Sequence, residues 1–325
     1  MLKCLLFVCF IAISTQLTNG LTWITNASDA ARANGKCPVD GEIYRDCSKQ
    51  YTREVPVPWP PEFRFPLYIY VASVHNTQEQ VDLIREVICY MQYLLIDIRE
   101  VSNTKYRPLI KVLFDNKFCG IEDKAGWKGK DAAHTIYVTD ACSNTPAIAH
   151  MIMHVLGFPH EINHHKRDQY VHIIKGNLAD EDKVHFEKYD SNKPPGHHFN
   201  FDPQSVMHYH FDDFRDNDIL PVIVPLQRGM SPFDFGRAIW LKREAAKSIF
   251  SYKDVAKMKE FYATFEVGSK IDQKNLVNDS IAKGRQSGWF GDPHDDPNRE
   301  GLEVIQEIYT GCRENLKGKN IETDA

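Results

Sequence analysis

The stretch His150-Met151-Ile152-Met153-His154-Val155-Leu156-Gly157-Phe158-Pro159-His160-Glu161 decides how this chain is read. On a helix, His150 and His154 stand at i and i+4, so their imidazoles share one face and can reach one metal ion. Gly157 follows, and glycine takes the positive φ that lets a chain turn sharply at a helix end. That turn brings His160 back as a third ligand. Three neutral histidines with a fourth position open are the ligand set of a catalytic zinc site. An isolated HxxxH pair is usually two ordinary surface or core histidines, whereas HxxxHxxGxxH is far more specific. Histidine is concentrated around it: eleven of the fourteen lie between His150 and His210.

Asn144 or Thr145 can cap the helix that carries the pair, and Gly157 stops it. Upstream, Val81, Ile84, Ile88, Met91, Leu95 and Ile98 recur at helical spacing. With the capping-box start Thr77-Gln78-Glu79-Gln80, they predict an amphipathic helix over 78–100. Phe65 to Val71, Leu109 to Phe114 and Thr135 to Val138 read as strands. Val55 to Pro61 is a proline-rich extended segment. Beyond Gly157 the chain is irregular and rich in His, Asp, Pro and aromatic residues, and helical patterns return around 237–262 and 300–310. There is no internal repeat and no low-complexity tract.

The 325 residues are 42% hydrophobic and 26% charged, which suits one or two folded domains and excludes a disordered or fibrous chain. A net charge of −5 leaves no basic excess to neutralise phosphates. Nucleic acid is therefore excluded as the main partner, as is a polybasic membrane-surface role. Residues 1–20 read as a secretory signal peptide, with Lys3 ahead of an apolar core from Leu5 to Ile13 and small residues Thr18 and Gly20 at the cleavage site. No later apolar run is long enough to span a bilayer. The expected product is a soluble, secreted, extracellular protein. Of the eight cysteines, Cys4 and Cys9 leave with the signal. The six that remain suit three disulfides in an oxidising compartment, and six cysteines allow fifteen pairings. Cys37 and Cys47 would close a small loop. Asn26 and Asn278 open glycosylation sequons.

The chain resembles the astacin family of secreted zinc endopeptidases, within the metzincins. The family pattern HExxHxxGFxHE, followed by the turn SxMHY, is matched by Gly157-Phe158, His160-Glu161, Arg167-Asp168 and Ser205-Val206-Met207-His208-Tyr209. Tyr170 to Ile174, Phe186 to Tyr189 and Pro221 to Val224-Pro225 fit the same family, and the resemblance covers about residues 65–262 and extends towards 312. It implies an α+β fold of two subdomains: a twisted N-terminal sheet with two long helices, over an irregular C-terminal half. A cleft lies between them with one zinc ion at its floor. The domain would be 61–312, divided into subdomains 61–157 and 158–312. It follows an N-terminal segment 21–60 (a prosegment or a cysteine loop) and precedes a polar tail 313–325. Either 263–300 is an insertion or the tail is an added element, so 250–262 and 300–312 compete as the closing helix. The resemblance makes His150, His154 and His160 the zinc ligands. It sets Met207 beneath the metal and gives Tyr209 the role of a switching ligand that stabilises an oxyanion. It also buries Glu161 against the amino terminus of the mature chain. The implied disulfides are Cys119–Cys142 and Cys89–Cys312.

One position departs from the family. Met151 stands where the pattern has glutamate, the group that takes a proton from zinc-bound water and passes it to the leaving amine. A thioether does neither, and loss of a general acid–base costs about 10²–10⁴-fold. The segment Asn163 to Lys166 also carries less Arg and Asp than the family's. No Phe-x-Gly-Asp latency element precedes residue 60, and Phe290-Gly291-Asp292 is a distant look-alike. The leading expectation is a zinc-binding homologue, hydrolytically inactive or strongly impaired, that holds an extracellular peptide or protein ligand. Two alternatives stand beside it: an active endopeptidase that tolerates Met151, and an interaction protein whose zinc only staples the fold.

Overall fold

A computed structural model describes residues 36–39, 42–46, 55–72, 77–114, 119–122, 124–189, 194–209, 214–216, 220–226, 230, 235, 249–263 and 312. The signal peptide, both sequons, Cys47, the stretch 264–300, the helical pattern at 300–310 and the polar tail lie outside these residues. Two short strands, β1 (Lys36–Val39) and β2 (Glu42–Asp46), pair antiparallel. The main sheet comprises β3 (Leu67–Val71), β4 (Ile98–Glu100), β5 (Leu109–Phe114), β6 (Gly120–Ile121) and β7 (Ala133–Val138). Its order is β4-β3-β5-β7-β6, parallel except for β6. Parallel strands need crossovers, and α1 (Gln78–Tyr93) supplies one between β3 and β4.

Helix α1 starts as the sequence predicts: Thr77 and Gln80 form a reciprocal capping box. It stops at Tyr93, seven residues short of the predicted end. Leu95 takes a positive φ of 66° and turns the chain, so Ile98 opens β4 beside Leu67 instead of closing the helical stripe. Ile96 and Ile98 fit a strand as well as a helix, and sheet pairing decides between them. Helix α2 (Thr145–Val155) carries His150 and His154, and its cap is Asn144, whose side chain accepts from Ala147 N–H. Strands β8 (Val171–Ile173) and β9 (Ile223–Pro225) pair antiparallel in the C-terminal half. Helix α3 (Tyr252–Tyr262) is capped by a Ser251–Asp254 box.

Two apolar cores result. The larger joins the sheet (Ile69, Ile110, Ile136) to α1 (Ile84, Met91), α2 (Ile148, Ile152) and α3 (Val255, Met258). The smaller gathers Ile162, Phe186, Phe201, Tyr209 and Ile223. Cys119 is bonded to Cys142, and Cys89 on α1 to Cys312. Helix α3 therefore packs on the core, while the bond from α1 is made by a cysteine far beyond it.

The carboxyl end of α2 is fixed from three directions. Trp59 Nε1 donates to Val155 O at 2.9 Å, Gly126 N–H to His154 O at 2.9 Å, and the Tyr262 hydroxyl to Leu156 O. The extended segment predicted at 55–61 threads between Gly126 and Gly157. A Cβ on Gly126 would lie 2.3 Å from Val57 O, and one on Gly157 2.9 Å from it. Both glycines also have positive φ, +82° and +98°. Trp59 packs at a tilt against His134, ring centroids 4.7 Å apart, and Trp127 stacks on the same imidazole at 6.3 Å. Burial, aided by the Lys128 charge, pushes His134 down to about 3.

Two outcomes follow for stability. Trp59→Phe removes the donor to Val155 O and leaves a buried carbonyl unpaired, which costs about 1–3 kcal/mol. Urea unfolding should show a lowered midpoint, and an unchanged midpoint would refute this role. His134 stays neutral when folded and takes a proton near 6.5 when unfolded. Its contribution is therefore present above pH 6.5 and lost as the pH falls towards about 3. His134→Phe should flatten the fall in stability between neutral and acid pH by up to one proton.

Candidate metal centre

His150 and His154 come from adjacent turns of α2, and Gly157 turns the chain so that His160 returns to them. The three are buried, and their ligand nitrogens form the metal-competent cluster found among the described residues. His154 Nε2 lies 3.0 Å from His160 Nε2, which lies 3.2 Å from His150 Nε2. Tetrahedral zinc with bonds of about 2.0–2.1 Å sets its nitrogens about 3.3 Å apart, so the cluster fits one zinc ion.

The outer ring nitrogens explain why the inner ones converge. His150 Nδ1 meets Val206 O at 2.8 Å and His154 Nδ1 meets Phe158 O at 3.0 Å. An Nδ1–H that donates to a carbonyl leaves Nε2 with its lone pair directed at the metal. His160 Nδ1 meets the Tyr209 hydroxyl at 2.9 Å. The structure thus places Tyr209 behind His160, on the ring nitrogen opposite the cluster, where it orients the ligand. Reaching an oxyanion at the metal would require this side chain to move.

Met207 is buried in the larger core, and its turn is tied down on both sides. Met207 N–H donates to Ser205 Oγ at 3.0 Å, and Met207 O accepts from Glu161 N–H at 2.8 Å. Asp254 on α3 holds the same turn, accepting from Ser205 Oγ at 2.5 Å and Val206 N–H at 2.8 Å. A chain of contacts therefore runs from α3 through the turn to His150.

Glu161 is buried, and its carboxylate meets two partners among the described residues. Its Oε1 accepts from Asp202 N–H at 2.8 Å and its Oε2 from the Lys257 ammonium at 2.6 Å. Among the described residues, the cation beside it is a lysine of α3. A buried carboxylate needs a counter-charge close at hand, and α3 supplies one. Burial pushes Lys257 down, but Glu161, Asp254 and Asp202 outweigh it and hold the ammonium above its ordinary value. Histidines nearby add no charge: burial pushes His164 down to about 3 and His208 to about 4, so both are neutral at neutral pH.

Met151 is 3% exposed and packs in the larger core. No carboxylate or thiolate joins the three histidines among the described residues. Sequence reading did not single out Trp59, Asp202, Lys253, Asp254, Lys257 or Tyr262. A signal for some was present: Lys253, Asp254 and Lys257 interrupt the apolar stripe Val255, Met258, Tyr262, and charges on a core-facing helix side ask for buried partners.

Zinc bound to the folded state alone stabilises it by linkage. Excess chelator should lower the melting temperature of the protein, and zinc should restore it. His154→Gln should abolish that response, and a chelator shift that survives His154→Gln would move the metal elsewhere.

Comparison with known proteins agrees with this geometry. The family model Astacin (Peptidase family M12A) matches residues 59–263, more than half of the chain. Seminal metalloprotease 1 of Drosophila melanogaster is 33% identical over 125 residues, which cover 38% of this chain and 45% of that protein. Tolloid-like protein 2 of Homo sapiens is 28% identical over 180 residues, 55% of this chain and 16% of that protein. The matched stretches thus span less than half the length of these relatives. Among solved structures, high choriolytic enzyme 1, a hatching enzyme zinc-protease from Oryzias latipes, aligns with a TM-score of 0.47 and 23% identity, over 59% of this chain and 86% of that one. The α+β class rests on the strand order above, and the family is zinc-dependent, as the cluster requires. With its matched zinc-helix region and three converging histidines, this chain belongs to the astacin family, peptidase family M12A.

Proposed function

We propose that the protein is a secreted zinc-binding pseudoprotease. It holds one zinc ion through His150, His154 and His160, and it binds an extracellular peptide or protein at the metal site without hydrolysing it at a useful rate. Membership in a family whose members are mostly secreted supports the compartment. No helix among the described residues is long and apolar enough to cross a membrane.

Met151 carries the functional reading. Zinc in such a site polarises a carbonyl and lowers the pKa of a bound water. Hydrolysis also needs a side chain that takes the water's proton and later delivers it to the amine. Met151 follows the first ligand on α2, where the family pattern has that side chain, and a thioether has no proton chemistry near neutral pH. Glu161 offers no replacement, because both its oxygens are engaged by Asp202 and Lys257. What remains suits binding: three oriented histidines, and a Tyr209 hydroxyl that holds His160 in place.

The test is casein hydrolysis by the secreted protein and by Met151→Glu, with and without chelator. The parent should show no chelator-sensitive cleavage, while Met151→Glu should gain about 10²–10⁴-fold over the parent's background. Comparable chelator-sensitive cleavage by the parent would overturn the proposal and assign the proton to another group.

A further inference from the structure

The buried pair Glu161–Lys257 is not used by the chemistry above, and it is costly. The side chains are 2% and 4% exposed, and their charged atoms lie 2.6 Å apart. Taking two charges out of water costs more than a surface pair returns, so a buried ion pair is weak evidence of stabilisation. Its position is informative instead. Glu161 directly follows the third ligand, His160, and its N–H holds the Met207 carbonyl at 2.8 Å. Its Oε1 holds Asp202 N–H at 2.8 Å, ahead of the turn at Ser205. Glu161 thus joins the third ligand to both sides of the turn that positions the first, by its N–H on one side and its carboxylate on the other.

The lysine is built in. Its stem passes beneath Gly196, where an added Cβ would lie 2.8 Å from Lys257 Cδ. Gly196 has a φ of +80°, so the chain at 194–200 closes over the stem at a position that favours glycine. Around the ammonium stand Asp202, held by Ser251 Oγ at 2.5 Å, and Asp254, held by Ser205 Oγ at 2.5 Å. Lys253, the other buried ammonium of α3, is directed to Phe201 O at 2.9 Å.

We propose that Lys257 is a positioning residue for the metal centre. Through Glu161 it fixes His160 and the Met207 turn from inside the domain. This rests on the three-histidine zinc site of the proposed function and is independent of whether peptides are hydrolysed.

The experiment uses the full-length secreted protein, with zinc affinity read by competition with a chromogenic chelator and ligand geometry read from the d–d absorption of the cobalt-substituted protein. Lys257→Met strands the Glu161 charge and should weaken zinc binding about 10–100-fold, the range for lost outer-shell partners. The double variant E161Q/K257M removes both charges, and with them the burial penalty, and carries the test if the single variant does not fold. Its zinc affinity should stay reduced and its cobalt band shifted. A double variant with parental affinity and an unchanged band would show the pair to be structural only and overturn the proposal. A parent protein that binds no zinc at all would instead fail the zinc-site reading itself.

Discussion

A helix end leaves its last carbonyls without intrahelical donors, and at the carboxyl end of α2 those carbonyls sit one turn from the metal ligands. Here they are met by donors from three remote parts of the chain: Trp59 before the sheet, Gly126 in the loop ahead of β7, and Tyr262 at the end of α3. Trp59 N–H in turn donates to the Tyr262 hydroxyl at 3.0 Å, so the extended segment at 55–61 and α3 lock each other as well as α2. The turn at Gly157, and with it the return of His160, starts from a helix end that cannot fray. The same contacts demand glycine at 126 and 157, because the backbone of Val57 occupies the space a side chain would need.

From that fixed end the metal site is built by outer contacts. Two ligands are oriented by backbone carbonyls and the third by a phenol. Val206 O, which orients His150, belongs to a turn clamped by Asp254 on one side and by Glu161 N–H on the other. Buried charge on α3 and on the segment after His160 is therefore linked to the histidine cluster through hydrogen bonds to the backbone, without touching it. Replacing the helix glutamate by Met151 leaves this scaffold undisturbed, since a buried thioether packs with its apolar neighbours and asks for no partner. The three histidines keep their outer contacts with a thioether beside them on α2.

Much of this was legible beforehand. The spacing of His150, His154, Gly157 and His160 implied one metal, because helical periodicity and a positive-φ turn are local properties. Strands at 109–114 and the capped starts of α1 and α2 were local too. The end of α1 was not, because Leu95 and Ile98 suit either a helix or a strand and only pairing with β3 decides.

By itself, the sequence determined the three-histidine cluster, the methionine at position 151 and the family pattern around them, all within short stretches whose chemistry is set by residue type and spacing. Tertiary structure alone decided which donors finish α2, which atoms orient each imidazole, and that Lys257 answers Glu161. Most of those contacts join residues 49 to 106 positions apart. Such partners are chosen by packing and by the cost of leaving a buried polar group unpaired, and neither is written in a local pattern.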